Sequence, residues 1–339
     1  MKLYRVPAFT GPDGLTLCDE PDPTPPVAGQ VIVRLRATSI NFRDLMGLQG
    51  QLQVGTGMAP NHIPMCDGAG EVVSVGESVT RVKPGDRVAL TFHPTWIAGR
   101  IPDDFNVLGR SCHLNDGLLA QYTKVDQSEV VVVPNHLSFE EAATLPCAGV
   151  TAWAALQGQM HLLAGDDVLV MGTGGVAIFA LQLAKAAGAR VIATTTSPAK
   201  QQRLWELGAD CVVDSSRPDW SAAVLDATGG RGVDVALDVG GSTGWIETIK
   251  ATRECGRISL IGALDRSTGG MPGLFMWRGQ HLNPTRVGSR EQFEQLNRAI
   301  AQAKIVPVID RVFGFEQAAE AFRYFETASR IGKVVIRID

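Results

Sequence analysis

Residues 166–200 read DDVLVMGTGGVAIFALQLAKAAGARVIATTTSPAK, and this stretch decides the fold. The short apolar run at 168–171 is typical of a strand that is buried on both faces. Apolar residues at helical spacing follow from 176 to 187, and Gly188 ends that helix. The β-branched residues of 190–195 predict a second strand. The stretch is therefore a strand–helix–strand unit with a glycine turn after its first strand.

The glycine turn lies between the predicted strand and the predicted helix. Its residues are candidate cofactor contacts: Gly172, Thr173, Gly174, Gly175 and Val176. With Ala177 in the last position they form the pattern GxGxxA in the structural context that this motif requires. Glycines there let backbone N–H groups and a helix N-terminus approach a pyrophosphate. The turn therefore predicts a bound dinucleotide.

The overall composition is that of a soluble globular protein with room for two domains. The chain has 339 residues, of which 45% are hydrophobic and 19% are charged. The net charge is −4 without a long basic run, so nucleic acid and anionic membranes are not expected partners. No stretch approaches the length of a membrane span and the N-terminus has no apolar segment, so we expect a cytoplasmic protein.

The cysteines are expected to be free thiols. They are Cys18, Cys66, Cys112, Cys147, Cys211 and Cys255. None forms a CxxC pair, and no secretion signal is present. Most of them are expected to be small core residues.

The segments on either side of the opening stretch predict a β-rich domain. Residues 68–88 are typical of a strand, a glycine turn and a second strand, and 31–37 alternate like a half-exposed strand. Between 90 and 117 the pattern predicts an irregular loop, either a lid over a substrate or a surface excursion. The last residues, 332–338, predict a strand that could return to this N-terminal β domain.

Beyond the opening stretch the chain continues to alternate helices with short apolar strands. Strands are predicted at 211–213, 233–239 and 256–262, with helices at 199–207 and 221–228. Repeated β and α elements of this kind indicate a parallel, doubly wound sheet.

The order of several motifs resembles a known family. The motifs are ATSINFRD, GAGEVVSVGESVTRVKPGDRV, LPCAGVTAW, GTGGVA, GRGVDVALDVGG and GKVVI. Together they resemble the medium-chain dehydrogenase/reductase superfamily, and within it the quinone oxidoreductase-like, zinc-independent branch. The resemblance implies an α/β fold with a GroES-like β-rich catalytic domain at 1–145 and 290–339. A Rossmann domain with a doubly wound parallel sheet would occupy 146–289, and a cleft between the domains would hold cofactor and substrate.

The resemblance also raises the question of a catalytic zinc, which needs three protein ligands and an open position. Zinc-dependent members place their ligands at the positions matched here by Asn41, Cys66 and Cys147. Asn41 is a poor zinc ligand, although Asp44 and Asp67 could donate oxygen. We therefore expect no metal. The alternative is a zinc-dependent alcohol dehydrogenase that uses Cys66 and Cys147.

The residues after the second strand of the opening stretch bear on the choice of cofactor. A site that prefers NAD places Asp or Glu about 20 residues after the glycines. This chain has Thr195, Thr196 and Ser197 there, and Lys200 follows. Hydroxyls and a cation suit the 2′-phosphate of NADP(H), and residues that match Ser197 and Lys200 bind it in the resembling family. NADP(H) is therefore the expected cofactor; otherwise Ser197 merely caps a helix and Lys200 is solvated.

The expected chemistry follows from the expected absence of zinc. Without a Lewis acid, hydride transfer favours electron-poor acceptors, so NADPH would reduce a quinone or an α,β-unsaturated carbonyl. By resemblance, Asn41 and Asp44 line the nicotinamide side, and Thr151 touches the nicotinamide or its ribose. The alternatives are that Asn41 bonds its own turn and that Thr151 bonds the preceding helical turn. No general acid stands out from the sequence.

Further cofactor contacts are implied by the resemblance, within 239–242, 261–263 and 287–289. The residues are Val239, Gly240, Ile261, Gly262, Val287 and Ser289. A remaining alternative is a non-catalytic sensor or structural protein that binds NADPH. Relatives form homodimers by pairing an edge strand of the Rossmann sheet, so a homodimer is expected. Residues 257–262 are apolar and β-rich enough for such a role, although a covered strand would show the same pattern.

Overall fold

The computed structural model describes residues 1–52, 59–103, 109–112, 115–158, 161–240, 244–262 and 273–339. They divide into two compact units, Met1–Val150 with Val287–Asp339 and Thr151–Arg286. The domain limits expected at 145 and 290 stay predictions. Among the described residues, no helix combines the length and the apolar character of a membrane span.

The strands and helices are numbered in chain order. The strands are β1 (Lys2–Arg5), β2 (Thr16–Asp19), β3 (Gln30–Ile40), β4 (Ala69–Val75), β5 (Arg87–Leu90), β6 (Tyr122–Asp126), β7 (Val130–Val132), β8 (Asp167–Met171), β9 (Arg190–Thr195), β10 (Cys211–Asp214), β11 (Val233–Asp238), β12 (Thr252–Leu260), β13 (His281–Pro284), β14 (Ile309–Gly314) and β15 (Lys333–Arg337). The α-helices are α1 (Phe42–Leu48), α2 (Phe139–Ala142), α3 (Val150–Gln157), α4 (Gly175–Ala186), α5 (Pro198–Glu206), α6 (Ser221–Ala227), α7 (Trp245–Ala251), α8 (Gly273–Trp277), α9 (Arg290–Ala303) and α10 (Ala318–Thr327).

The first unit is built on a mostly antiparallel sheet. Within the described chain its strand order is β14-β15-β3-β4-β5-β7, and β6 also pairs with β3. The last strand, β15, runs antiparallel to β3 with Val334 opposite Ile40. The predicted return of the C-terminal strand to the N-terminal β domain is therefore confirmed. This register carries Lys333 to the end of β3, where the chain turns into α1.

Two short helices of this unit begin at polar residues. The Glu141 backbone N–H donates to Ser138 Oγ at 3.1 Å, and the Ser138 N–H donates to the Glu141 carboxylate at 2.6 Å. These reciprocal bonds form a capping box at the start of α2. Before α1, the Asn41 backbone N–H donates to Asp44 Oδ2 at 2.9 Å in the same way. Asp44 is therefore held at the first turn of α1.

The second unit is built on a parallel sheet. Among the described strands the order is β10-β9-β8-β11-β12-β13, and every neighbouring pair is parallel. This order confirms the predicted Rossmann-type doubly wound sheet. Because the strands are parallel, the loops after β8, β9, β11 and β12 meet at one edge of the sheet. The cofactor candidates of this unit follow those strands.

The expectation that 257–262 supplies an edge strand is wrong. These residues belong largely to β12, which is hydrogen-bonded to β11 on one side and to β13 on the other. Its apolar character therefore reflects burial inside the sheet, and Ile258 is 2% exposed. The described edge on this side of the sheet is β13, where His281 stands opposite Arg257.

Candidate functional site

The glycine turn of the second unit lies between β8 and α4, as predicted. Gly172 has a φ of +81°, a conformation that favours glycine. Gly174 precedes the first residue of α4 and no side chain caps the helix there. A Cβ built on Gly174 would meet nothing within 4 Å. The N-terminus of α4 is therefore open to an anionic group, which fits the pyrophosphate of a dinucleotide.

The residues after β9 lie close to the glycine turn. Lys200, on α5, extends its Nζ to 3.1 Å from Thr173 Oγ1. The Ser197 backbone N–H donates to Thr195 Oγ1 at 3.1 Å. Thr195 is buried whereas Thr196 is exposed. The structure thus brings the ammonium of Lys200 to the turn that the sequence assigns to the pyrophosphate.

The loops after β11 and β12 approach each other closely. A Cβ built on Gly262 would lie 1.8 Å from the Val239 carbonyl oxygen, so only glycine fits there. The Gly240 N–H donates to Asp238 Oδ1 at 2.9 Å, and the Ile261 N–H donates to the Asp238 carbonyl at the same distance. Asp238 therefore holds the loop after β11 through its carboxylate and the loop after β12 through its backbone carbonyl. The other residues expected here, 241–242 and 263, lie outside the described residues.

Three further candidates are Thr151, Val287 and Ser289. Thr151 is 3% exposed and lies in α3, directly after a π-helical turn at Leu145–Gly149. Val287 has a left-handed φ of 48°. Ser289 caps α9, since its Oγ accepts from the Gln292 N–H at 3.2 Å. A contact between these residues and a cofactor stays a prediction.

The first unit holds a buried polar cluster centred on Asp67, which is 0% exposed. Asp67 Oδ2 accepts hydrogen bonds from Ser39 Oγ at 2.8 Å, Asn41 Nδ2 at 2.8 Å and Lys333 Nζ at 3.4 Å. Its Oδ1 accepts from the Cys147 backbone N–H at 2.9 Å. Burial raises the pKa of Asp67, although Lys333 opposes that shift. Both carboxylate oxygens are therefore engaged.

Lys333 is the member of this cluster that sequence reasoning missed. Its Nζ donates to Asn41 Oδ1 at 2.6 Å and to the Ile40 carbonyl at 2.9 Å. An ammonium group only donates, so the amide oxygen of Asn41 must face Lys333 and its nitrogen must face Asp67. The available signal was a lysine inside the apolar strand GKVVI, where a charged residue is unusual.

Asn41 and Asp44, both candidate catalytic residues, lie together at the start of α1. Asn41 Nδ2 is also 3.4 Å from Cys66 Sγ and 3.4 Å from the Ser39 carbonyl. The alternative that Asn41 bonds its own turn is therefore met by the Ser39 contact, but this is only one of several contacts of Asn41. Asp44 is 3% exposed, and its Oδ1 accepts from Arg43 Nη1 at 3.1 Å. The structure therefore holds each residue rigidly.

Among the described residues, one group of three side chains has the chemistry to hold a metal ion. The group is Cys66, Asp67 and Cys147, whose ligand atoms lie within 4.8 Å of one another. Burial raises the pKa of the Cys66 thiol well above its usual value. The Asn41 amide N–H points at Cys66, and both oxygens of Asp67 accept hydrogen bonds. In this arrangement the three donors do not fit a catalytic zinc.

The described ends of the long loop are buried. His93 is 3% exposed and its ring lies 4.6 Å from that of Phe92 and 5.9 Å from that of Trp96. The guanidinium of Arg43 lies 5.3 Å from the Phe92 ring centre and donates to the Arg110 carbonyl at 3.0 Å. These ends are thus packed against the start of α1, whereas residues 98–101 of the same loop are exposed, and both alternatives for the loop stay predictions.

Comparison with known proteins agrees with this fold. The chain matches the family models "Alcohol dehydrogenase GroES-like domain" over residues 27–135 and "Zinc-binding dehydrogenase" over 175–302. It is 38% identical to a zinc-type alcohol dehydrogenase-like protein of Schizosaccharomyces pombe, covering 92% of this chain and 91% of the relative. It is 32% identical to 2-methylene-furan-3-one reductase of Solanum lycopersicum, covering 91% and 71%. A solved NAD-dependent alcohol dehydrogenase superposes with a TM-score of 0.90 at 33% identity, covering all of both chains.

The two-unit fold, the glycine turn and these matches define a nicotinamide-dependent oxidoreductase. The chain belongs to the medium-chain dehydrogenase/reductase superfamily.

Proposed function

We propose that the protein transfers hydride from NADPH to a quinone or an α,β-unsaturated carbonyl compound and that it does so without a metal ion. The observation that carries the proposal is the position of Asn41. Its amide nitrogen points at Cys66 Sγ and Asp67 Oδ2, at 3.4 Å and 2.8 Å, where a metal would need free lone pairs. A site of this kind offers no Lewis acid, so the acceptor must be electron-poor by itself.

The proposed preference for NADPH rests on the loop after β9. No carboxylate follows β9 before Glu206, so nothing there would repel a 2′-phosphate. Lys200 Nζ, 3.1 Å from Thr173 Oγ1, would pair with that phosphate, and Thr196 and Ser197 would donate hydrogen bonds to it. When bound, NADPH supplies the hydride.

The residues proposed at the reacting end are Asn41, Asp44 and Thr151. Asn41 and Asp44 would form a polar wall for the nicotinamide side, because hydrogen bonds already fix both side chains. Thr151 would contact the nicotinamide or its ribose through its hydroxyl. A preorganised wall of this kind aligns the cofactor without reorganisation during the reaction.

Substrate reduction by purified protein tests the proposed function. NADPH oxidation would be followed with a panel of quinones and enones, and NADP⁺ reduction with a panel of primary and secondary alcohols. We expect turnover of at least one quinone or enone and a preference for NADPH over NADH of about tenfold or more. Tight NADPH binding with no turnover of any acceptor would favour the sensor or structural alternative.

A specific observation supports a second candidate, a zinc-dependent alcohol dehydrogenase. Cys66, Asp67 and Cys147 keep their ligand atoms within 4.8 Å of one another. Release of Asp67 from its hydrogen bonds would leave three donors for one ion. Alcohol oxidation that depends on one zinc per chain would establish this candidate.

We also propose that the protein is a homodimer formed through β13 rather than β12. On the side of β13 away from β12, the described residues include no paired strand. Near this edge α8 exposes Met276 by 77% and Trp277 by 90%, large apolar surfaces for a monomer to leave in water. An edge strand beside an apolar patch suits pairing with the same strand of a second copy.

A further inference from the structure

We propose that Cys66 and Cys147 form an oxidation site, in which a hydroperoxide converts the two thiols into a disulfide and thereby lowers the reductase activity reversibly. The inference concerns the regulation of the proposed site. It rests on the proposed metal-free reduction, because a zinc ion bound to both sulfurs would protect them from oxidation. It also gives a role to two thiols that the proposed hydride transfer does not use.

The two thiols lie close together in the first unit. Their Sγ atoms are within 4.8 Å of each other. A disulfide bond needs the two sulfurs at a distance of about 2 Å. A change between staggered rotamers of one cysteine moves its sulfur by about 3 Å, which covers the remaining gap. The pair can therefore reach bonding distance through rotation of side chains.

The backbone segments that carry these thiols are also held together. The Cys147 backbone N–H donates to Asp67 Oδ1 at 2.9 Å, and Asp67 directly follows Cys66. The other carboxylate oxygen of Asp67 accepts from Ser39 Oγ and Asn41 Nδ2, both at 2.8 Å. A disulfide would thus join two segments that the fold already places side by side.

The two thiols differ in their access to solvent. Cys66 is 0% exposed, whereas Cys147 is partly exposed in the π-helical turn Leu145–Gly149. A hydroperoxide from solvent therefore meets Cys147 first. Cysteines that react with oxidants are commonly accessible and stand next to a second cysteine that completes the disulfide. Cys147 fits the first of these roles, and Cys66 fits the second.

The reaction has two balanced steps. The Cys147 sulfur attacks the outer oxygen of the hydroperoxide, the O–O bond breaks, and the leaving alkoxide takes the Cys147 proton to become an alcohol. Cys147 is now a sulfenic acid. The Cys66 sulfur attacks the sulfur of this group, so the S–S bond forms and the hydroxyl leaves with the Cys66 proton as water. The two thiols have lost two electrons, and the hydroperoxide has gained them.

Asn41 connects this disulfide to the proposed reacting groups. Its Nδ2 lies 3.4 Å from Cys66 Sγ, so a movement of that sulfur towards Cys147 disturbs the contact. Thr151, also proposed at the reacting end, follows Cys147 by four positions in the sequence. A misplacement of about 1 Å at such groups can cost about a hundredfold in rate. Oxidation should therefore lower the rate of hydride transfer.

Peptide mapping and activity assays on the same oxidised samples test the inference. The proteins are wild type, Cys66→Ser, Cys147→Ser and Cys255→Ser. Cys255→Ser is the matched control, since Cys255 is an exposed cysteine of the second unit. Each protein would be reduced, freed from reductant, treated with hydrogen peroxide, and blocked with N-ethylmaleimide in denaturant before digestion. Enone reduction by NADPH would be measured before oxidation, after oxidation and after treatment with dithiothreitol.

The expected result is the same disulfide in wild type and in Cys255→Ser. Mass spectrometry should find a peptide pair joined through Cys66 and Cys147, and the activity should fall by about tenfold or more. Dithiothreitol should restore both thiols and the rate. Cys66→Ser should stop at a sulfenic acid on Cys147, which dimedone traps, and Cys147→Ser should form no disulfide with Cys66.

Two results would overturn the inference. One is oxidised wild type in which N-ethylmaleimide still labels both Cys66 and Cys147. The other is a disulfide between these residues that leaves enone reduction unchanged. If a serine variant of either residue does not fold, wild type and Cys255→Ser still decide, because both results are measured on those two proteins.

The outcomes also separate this inference from the proposed function. A wild type that reduces enones but forms no such disulfide would overturn the oxidation site alone. A wild type that forms the disulfide, but reduces no quinone or enone even before oxidation, would contradict the reductase proposal while the disulfide itself stands.

Discussion

Lys333 Nζ lies 2.6 Å from Asn41 Oδ1, and this contact joins the last strand of the chain to the start of its first α-helix. The same ammonium lies 3.4 Å from Asp67 Oδ2. The three residues form one buried hydrogen-bonded group in the first unit. The contribution of this group to the free energy of unfolding can therefore be measured.

Replacement of Lys333 by Met should destabilise the protein by about 3–5 kcal/mol, because it leaves the Asp67 carboxylate buried and unpaired. Burial already raises the pKa of Asp67. The loss should shrink as the pH falls towards that pKa, since a protonated carboxyl needs no counter-charge. Urea unfolding of Lys333→Met, Asp67→Asn and the double variant at two pH values measures this. A coupling free energy near zero between the two positions would contradict the pairing.

Lys200→Gln should weaken NADPH binding by about ten- to a hundredfold, because it removes the charge-assisted contact with the 2′-phosphate. The affinity for NADH should change by less than about twofold. Fluorescence titration with both cofactors gives the two values. Lys250→Gln is the matched control, since Lys250 is an exposed lysine that pairs with Glu247 on α7. An equal loss of affinity for NADH and NADPH in Lys200→Gln would reject the assignment.

Asp234→Asn should lower the free energy of unfolding at neutral pH by about 1–2 kcal/mol. Burial alone would raise the pKa of Asp234, but hydrogen bonds from Arg231 and Arg253 hold it at about 2. A depressed pKa stabilises the fold above the usual aspartate value, and this stabilisation is lost as the pH falls through 2. The difference between Asp234→Asn and wild type should therefore be smaller at acid pH than at neutral pH.

The control for that measurement is Asp226→Asn, at an exposed position on α6. Its effect should stay within about 0.5 kcal/mol at either pH. A pH-independent loss in Asp234→Asn would show that the charge of Asp234 is not the stabilising feature.

Trp277→Glu should shift the protein from dimer to monomer without loss of stability in the monomer. Trp277 is 90% exposed, so the monomer loses no packing, whereas a buried charge at the subunit interface is costly. Light scattering over a concentration series gives the dissociation constant. Trp205→Glu is the control, because Trp205 is an exposed tryptophan on α5. A wild type that is monomeric at all concentrations would reject the dimer.

Much of the fold could be predicted from local patterns. The glycine turn, β8, α4 and β9 each carry their own signal in residue type and spacing, and all are present in the structure. The short strand β13 could not be predicted in this way. Its residues, HLNP, lack alternation and contain Asn and Pro, which are rare in strands. Only pairing with β12 makes it a strand, and its absence from the prediction placed the sheet edge one strand too early.

The residues of the candidate site could be predicted only in part, because some of them are brought together by strand pairing over long distances in the sequence. Asn41 and Cys147 could be found because each lies in a recognisable motif, and Cys66 because it lies just before another. Lys333 lies in the terminal motif GKVVI, but that motif predicts only a strand and does not indicate which residues the lysine contacts. Its role depends on the antiparallel register between β15 and β3, which joins residues almost 300 positions apart. Long-range pairing of this kind leaves no local trace in a single sequence.

The proposed reduction by NADPH proceeds without a metal ion. The most direct test measures zinc content and enone or quinone reduction on the same purified sample, before and after treatment with a strong chelator. We predict far less than one zinc per chain and a rate that chelation leaves unchanged. One tightly bound zinc per chain, with activity that falls on its removal and returns when zinc is restored, would contradict it.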